Sequence, residues 1–314
     1  MYAGGSMYPL SSTNMTTIQN SGITTIMCMF LRIESDGTLR FHGEDLVTYD
    51  TTTQTSTYVG SSTWNSQLTT LMGSGSSVNE IGFTIGGAGS TAFGTINTMY
   101  NNQSQNTNWA AMSSNFACLL ANVPNVTFID MDVEEEYHAT SFAQFCIMLA
   151  DAGYDITFCP SYSTLSSGKS AIDWWAAAMQ TIEASKSGSV VRVNLQCYSG
   201  GAGNNPSHWA NIFHGKPYNL TTTGLFLASQ LARHYVNTQE FTGYEGDCPN
   251  SVQTFMTSFA KENCVSGAFI YSFGEILKYP GELSSHTDPD QCGTDSLADY
   301  VSAMKNGLEG TSPS

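Results

Sequence analysis

Asn125-Val126-Thr127-Phe128-Ile129-Asp130-Met131-Asp132-Val133-Glu134 decides the fold. Apolar residues open the stretch, and carboxylates then occupy every second position. Side chains alternate between the faces of a β-strand, so Asp130, Asp132 and Glu134 share one face. Adjacent acids are costly to bury unless a site uses them. A parallel barrel that ends a strand in stacked carboxylates presents a general acid beside partners that tune it. The other readings are a solvated strand end and a cation loop. A solvated end does not call for Phe128, Ile129, Met131 and Val133 between the acids. A helix–loop–helix calcium site needs glycine at its sixth position and glutamate at its twelfth, and neither is present.

Further strand-like runs flank this one: Met1–Gly4, Ile23–Ile33, Glu80–Gly87, Asp155–Pro160, Ser189–Tyr198, Thr223–Ala228 and Gly267–Phe273. Thr223–Ala228 reads equally as the opening of a helix through Arg233. Helical spacing marks Thr140–Ala152, with Gly153 placed as its C-cap. It also marks the segment from Ile172 to Ile182, behind a cap formed by Ser170 with Asp173, and Asn250–Asn263. Strands alternating with helices imply a parallel sheet with helical crossovers. Eight strands in this length predict an α/β fold, a single closed (β/α)8 TIM-type barrel. Thr51–Ser77 and Tyr100–Asn108 read as long surface loops. No linker is evident, so residues 1–314 are read as one catalytic-type domain.

Only 11% of the 314 residues are charged, with ten basic against 26 acidic and a formal net charge of -16. That balance argues against nucleic acid and against an anionic membrane surface. A neutral polymer such as a polysaccharide remains compatible. No apolar run is long enough to span a bilayer. The opening Met1-Tyr2-Ala3-Gly4-Gly5 has neither a basic nor an apolar leader region, so the expectation is a chain other than an intact secretory precursor. Asn14, Asn102, Asn125 and Asn219 head glycosylation-acceptor triplets, and the chain is expected outside the cell as a mature protein. None of the eight cysteines forms a C-x-x-C pair, and no metal or cofactor is expected. Cys28, Cys159 and Cys197 read as buried thiols. Cys248, Cys264 and Cys292 are the candidates for a disulfide.

A second polar row strengthens the reading. Arg192, Asn194, Gln196 and Tyr198 occupy one face of their strand; Val191, Val193, Leu195 and Cys197 occupy the other. With helices outside, the polar row faces the barrel interior. Tyr271 and Phe273 supply either an aromatic wall for a sugar or ordinary core. Gly86-Gly87-Ala88-Gly89 lacks the continuation of a phosphate loop. His138 follows Glu134 by four residues without a metal-ligand pattern.

These residues resemble the family 18 glycoside hydrolases, the chitinases, endo-β-N-acetylglucosaminidases and chitinase-like proteins. Asp130-x-Asp132-x-Glu134 is similar to the end of their D-x-x-D-x-D-x-E strand, with Thr127 in place of the first aspartate. Ile81–Gly87 resembles their S-x-G-G strand, with Thr84 in the serine position. Cys28–Gly37, with Phe30, looks like their second strand, and Gln196-Cys197-Tyr198 like their Q-x-Y. Tyr271 stands where tryptophan is usual.

The resemblance implies a retaining hydrolase of β-1,4-linked N-acetylglucosamine, acting on chitin, chitooligosaccharide or the N-glycan core. It implies Glu134 as proton donor, Asp132 on the substrate acetamido N–H, and Asp130 sharing a proton with Asp132. Tyr198 would orient the acetamido oxygen. Gln196, Tyr271, Gly86, Gly87 and Phe30 would contact substrate. Two alternatives remain: a catalytically weak lectin on the same barrel, and a structural or storage protein suggested by the low charge and the Ser/Thr/Asn content. Oligomeric state and exo or endo action are not legible.

Overall fold

Alternation of period two builds the centre of the molecule. A computed structural model describes residues 1–134, 138–161, 168, 170–198, 201, 203–220, 226–231, 248–262, 264–278 and 296–311. Eight parallel strands lie side by side: β1 (Tyr2–Ala3), β2 (Thr25–Met29), β7 (Glu80–Gly86), β8 (Val126–Asp132), β9 (Asp155–Phe158), β10 (Val190–Asn194), β11 (Phe226–Leu231) and β12 (Val265–Tyr271). They pair in that order, as sequential crossovers dictate. Helices run between them, including α5 (Ala139–Ala152), α6 (Ala171–Ser185), α7 (Pro206–His214) and α8 (Pro249–Thr257), with α10 (Leu297–Leu308) after the last strand. The predicted caps hold. Ser170 Oγ accepts the N–H of Asp173, and Gly153 takes the left-handed conformation with φ 101°.

Two apolar cores follow from the pleat. Outward residues such as Ile26, Cys28, Phe83, Ile129, Met131, Ile156, Val193 and Cys197 pack against the helices. Inward residues Tyr2, Met27, Met29, Phe128, Cys159, Tyr198 and Phe269 form a second cluster inside the barrel. The ring of Phe128 fits there because Gly82 faces it. A Cβ on Gly82 would lie 2.4 Å from that ring. At the opposite end from the carboxylates, Arg192 pairs with Glu80 and lies 4.9 Å from the Phe128 ring centroid.

The expected closed barrel is not closed by hydrogen bonds: among the described residues the sheet runs from β1 to β12 with no ladder between those two strands. Tyr2 and Phe269 fill that seam, ring centroids 5.2 Å apart.

Several local expectations need correction. The predicted strand Ile23–Ile33 is divided. Phe30 leaves the ladder, and β3 (Leu31–Ile33) joins β4 (Leu39–Phe41), β5 (Glu44–Asp50) and β6 (Thr55–Tyr58) in a separate antiparallel sheet. Thr51–Ser77 is not a loop: it holds β6 and α2 (Ser62–Leu71). Trp64, Leu68 and Leu71 bury one stripe of α2, and Ser61 caps it. Further helices, α3 (Ala92–Asn101) and α4 (Asn108–Asn122), flank the loop expected at Tyr100–Asn108. The helix expected at Asn250–Asn263 stops at Thr257. Thr223–Ala228 resolves toward a strand from Phe226, while Thr223 and Arg233 lie outside the described residues. Cys28, Cys159 and Cys197 are buried thiols, Cys264 is free and Cys248 is disulfide-bonded. Cys292 lies outside the described residues. Among those described, no helix is long and apolar enough to cross a membrane.

The fit of Gly82 makes a two-sided stability prediction. Gly82→Ala forces a methyl into the Phe128 ring and is expected to destabilise by about 1–3 kcal/mol. Gly94→Ala, in α3 with nothing within 4 Å of its added Cβ, is expected to stabilise by roughly 0.5–1 kcal/mol. Urea denaturation of both variants checks this. A neutral result at Gly82 would contradict the packing described.

Candidate active site

Strand β8 brings its acids into the barrel in a graded series. Asp130 is fully buried, Asp132 is 5% exposed, and Glu134, just past the strand end, is half-buried. Thr127, of opposite parity, lies on the exposed outer side. The substitution at that position therefore does not reach the carboxylate row.

Each level of the interior has its own partners. Asp130 accepts hydrogen bonds from Tyr2 Oη at 2.8 Å, Thr84 Oγ1 at 3.2 Å and Asn194 Nδ2 at 2.9 Å, and from Thr157 Oγ1. Strand register places two of these donors on either side of the acid, since Thr84 and Thr157 are both ladder partners of Asp130. Burial raises the Asp130 carboxyl above the usual range, and the four donors pull it back. One level nearer the mouth, Asp132 accepts from Gln196 Nε2 at 2.9 Å. Burial raises this carboxyl well above its ordinary value. The neighbouring charges of Glu134 and then Asp130 add to the effect. Gln196 Nε2 also lies 3.4 Å from Glu134 Oε1, so one carboxamide spans both acids.

Aromatic residues line the same level. The Tyr271 ring sits between those of Tyr2 and Tyr198, at 6.0 Å from each. Burial, followed by the charge of Asp132, pushes the Tyr271 phenol up to about 12. Burial also raises Tyr198 well above its usual value, so both phenols are hydrogen-bond donors at neutral pH. Tyr271 thus belongs to the wall. Phe273 does not: it is fully buried in the outer core.

The glycines place the acids by close approach. Gly86 has φ 108°, and a Cβ there would lie 2.0 Å from the carbonyl oxygen of Asp132. Gly87, at φ 86°, donates its N–H to that same oxygen at 2.8 Å and leaves room for the Phe30 ring, 2.6 Å from a would-be Cβ. Their observed contacts are with protein. They fix the main chain of Asp132 and seat Phe30.

Sequence reasoning named Asp130, Asp132, Glu134, Gln196 and Tyr198, and the fold brings these together with Tyr271. It missed Tyr2, Thr157 and the contact of Cys159, whose thiol lies 3.4 Å from Gln196 Nε2. For Thr157 and Cys159 a signal existed, since they alternate with Ile156 and Phe158. For Tyr2 there was none beyond a two-residue strand. Among the described residues no cluster of histidine, cysteine or acid side chains has the grouping of a metal site. The acids stack along one face of the strand, with Gln196 donating to Asp132 and facing Glu134. That arrangement suits proton transfer at the mouth.

The fold has solved counterparts. It matches the chitinase ChiB from the chitin utilization locus of Flavobacterium johnsoniae, a GH18 enzyme, with TM-score 0.58 and 14% identity over 99% of this chain and 96% of that one. It matches a chitinase of Rhizomucor miehei with TM-score 0.57 and 12% identity over 98% of each chain. The catalytic domain of a family GH18 chitinase from the fern Peteris ryukyuensis gives TM-score 0.55 and 16% identity, over 98% of this chain and 97% of that one. The chain therefore has the barrel fold of the family 18 chitinases. No protein-family sequence model matches it, and no curated protein matches it significantly.

The raised Asp132 carboxyl makes a pH prediction. A carboxyl whose folded pKa exceeds its unfolded one binds more protons in the native state. Stability then falls as pH rises from the unfolded value, about 3.9, through the folded one. Asp132→Asn removes the titration while keeping an oxygen for Gln196. The variant is expected to be more stable than wild type at neutral pH, with a flatter dependence of Tm on pH above 4. Parallel Tm–pH curves for the two proteins would refute this.

Proposed function

We propose that the protein is a retaining glycoside hydrolase of β-1,4-linked N-acetylglucosamine, in chitin, chitooligosaccharides or the N-glycan core. The observation that carries this reading is the graded row Asp130, Asp132, Glu134 at the mouth of the fourth barrel strand. Two buried acids stand behind one that reaches solvent. Active sites of such barrels lie at this face, and the chitinase fold adds support.

In this reading Glu134 donates its proton to the glycosidic oxygen as the bond to the anomeric carbon breaks. The substrate's own acetamido oxygen attacks that carbon from the other side and forms a cyclic cation. This is the exception to the two-carboxylate scheme. Asp132 holds the acetamido N–H and offsets the positive charge. Asp130 and Asp132 share one proton, because like charges this close do not both ionise readily. Water then opens the ring, giving its proton to Glu134, and two inversions amount to retention. The Tyr198 hydroxyl, kept protonated by burial, donates to the acetamido oxygen, and the rings of Tyr198 and Tyr271 line the sugar. Phe30 and Gln196 complete the substrate-binding set, with Gly86 and Gly87 behind them holding the Asp132 main chain and seating Phe30. We place the protein outside the cell, acting as one catalytic unit; the disulfide at Cys248 fits an oxidising compartment.

The test is product analysis after incubation with chitin oligomers and with a high-mannose glycopeptide. Wild type is expected to cleave at least one of them, and Glu134→Gln to lose about 10²–10⁴-fold in rate with binding retained. Equal turnover by the two proteins would remove Glu134 from its role. Binding without turnover in wild type would leave a lectin on the same barrel.

A further inference from the structure

We propose that Asn204 is a positioning residue that sets the direction of Gln196, and through it the Asp132–Glu134 pair; this rests on the hydrolase reading of that pair. Strand β9 ends at Phe158 and β10 at Asn194, yet both chains must continue upward to form the mouth. Among the described residues the last main-chain rung between them is Gln196 N–H to the carbonyl of Pro160, at 3.1 Å. Beyond it a side chain takes over. Asn204 Nδ2 donates to the carbonyl of Gln196 at 2.8 Å and to that of Ser161 at 2.6 Å.

The carboxamide of Asn204 has one workable orientation. Its oxygen accepts the indole N–H of Trp209 at 3.0 Å. An indole only donates and a carbonyl only accepts, so turning the amide over would break all three bonds. The clip is also sealed from water: Asn204 is 7% exposed, Ser161 2% and Trp209 0%. Gly201 packs against the same carbonyls. Gly201 donates to the carbonyl of Tyr198 and accepts from the N–H of Asn204, both at 2.8 Å. A Cβ on Gly201 would lie 2.2 Å from the Gln196 oxygen and 2.5 Å from that of Ser161.

What this clip controls is narrow. Gln196 Nε2 has two hydrogens and faces Asp132 at 2.9 Å, Glu134 at 3.4 Å, and the oxygen and sulfur of Cys159 at 3.5 and 3.4 Å. With alternatives this close in space, a small rotation of the Gln196 main chain redirects its amide from Asp132 to Cys159. Asn204 touches neither acid. It fixes the residue that does.

A double-mutant cycle tests the proposal, using Asn204→Ala, Gln196→Ala and the pair. Partners that orient a working side chain typically cost 10–100-fold when removed, by analogy with the shells around metal ligands. Asn204→Ala is expected to lower kcat about tenfold or more with KM little changed, and to add almost nothing in the Gln196→Ala background. A purely structural role gives losses that multiply. Trp209→Phe keeps the ring, removes the orienting N–H, and is expected to shift kcat in the same direction by less; it stands in if Asn204→Ala fails to fold. A second readout needs no turnover: the carboxyl carbon signal of Asp132 followed against pH. Asp130, Glu134, Cys159, Tyr198 and Tyr271 surround Asp132 in every variant. Loss of the Gln196 donor is expected to raise the Asp132 titration, equally in Asn204→Ala and Gln196→Ala. An inactive wild type would overturn the hydrolase reading while this titration still decides the positioning. A shift in Gln196→Ala with none in a folded Asn204 or Trp209 variant would overturn it.

Discussion

Everything in this structure is arranged around the desolvation of two carboxyl groups inside a packed barrel. A buried acid is tolerable only when it is protonated or surrounded by donors. Asp130 takes the second course, with hydroxyls from Tyr2, Thr84 and Thr157 and an amide from Asn194. Those donors come from β1, β7, β9 and β10. One charge therefore requires half of the barrel's strands to be in register. A slip of one residue in any strand would turn a donor outward and leave Asp130 facing hydrocarbon. Asp132 has fewer donors and two acidic neighbours, and it is raised much further. The difference between the two acids comes from their depth and partners, not from their chemistry.

Close packing on the other side of β8 makes this register affordable. Gly82, Gly86 and Gly87 on and after β7 each yield space to something specific: the Phe128 ring, the carbonyl of Asp132 and the Phe30 ring. Without side chains of its own at two inward positions, β7 lets β8 carry Phe128 and Asp132 there. The aromatic fill and the acid row are thus products of one pairing.

The carboxylate row, the polar row of β10 and the strand–helix alternation were legible because they depend on period two or on helical spacing, both written locally. The division at Phe30 was not. Leu31 and Ile33 continue the alternation of β2 in sequence, and only the antiparallel partners Leu39 and Phe41 claim them for another sheet. Helix α2 was hidden by composition. Ser, Thr, Asn and Gln surround Trp64, Leu68 and Leu71, and the stripe is real but thin. The role of Tyr2 depends on long-range contacts with Asp130 and Phe269, which no local pattern encodes. Asn204 lies eight residues beyond Gln196, and no local periodicity predicts that its side chain meets the Gln196 carbonyl.

The graded burial from Asp130 to Glu134 also explains how one strand serves two purposes. At its floor, Arg192 pairs with Glu80 and lies over the Phe128 ring. At its middle, Asp130 is held by fixed donors and has little freedom. Toward the mouth, among the described residues, the Gln196 amide donates to Asp132 and faces Glu134, and the phenols of Tyr198 and Tyr271 flank them. The lower levels hold the fold, and the acids become less buried in step from Asp130 through Asp132 to Glu134, so exposure to solvent rises along the strand as the ring of fixed donors around Asp130 is left behind.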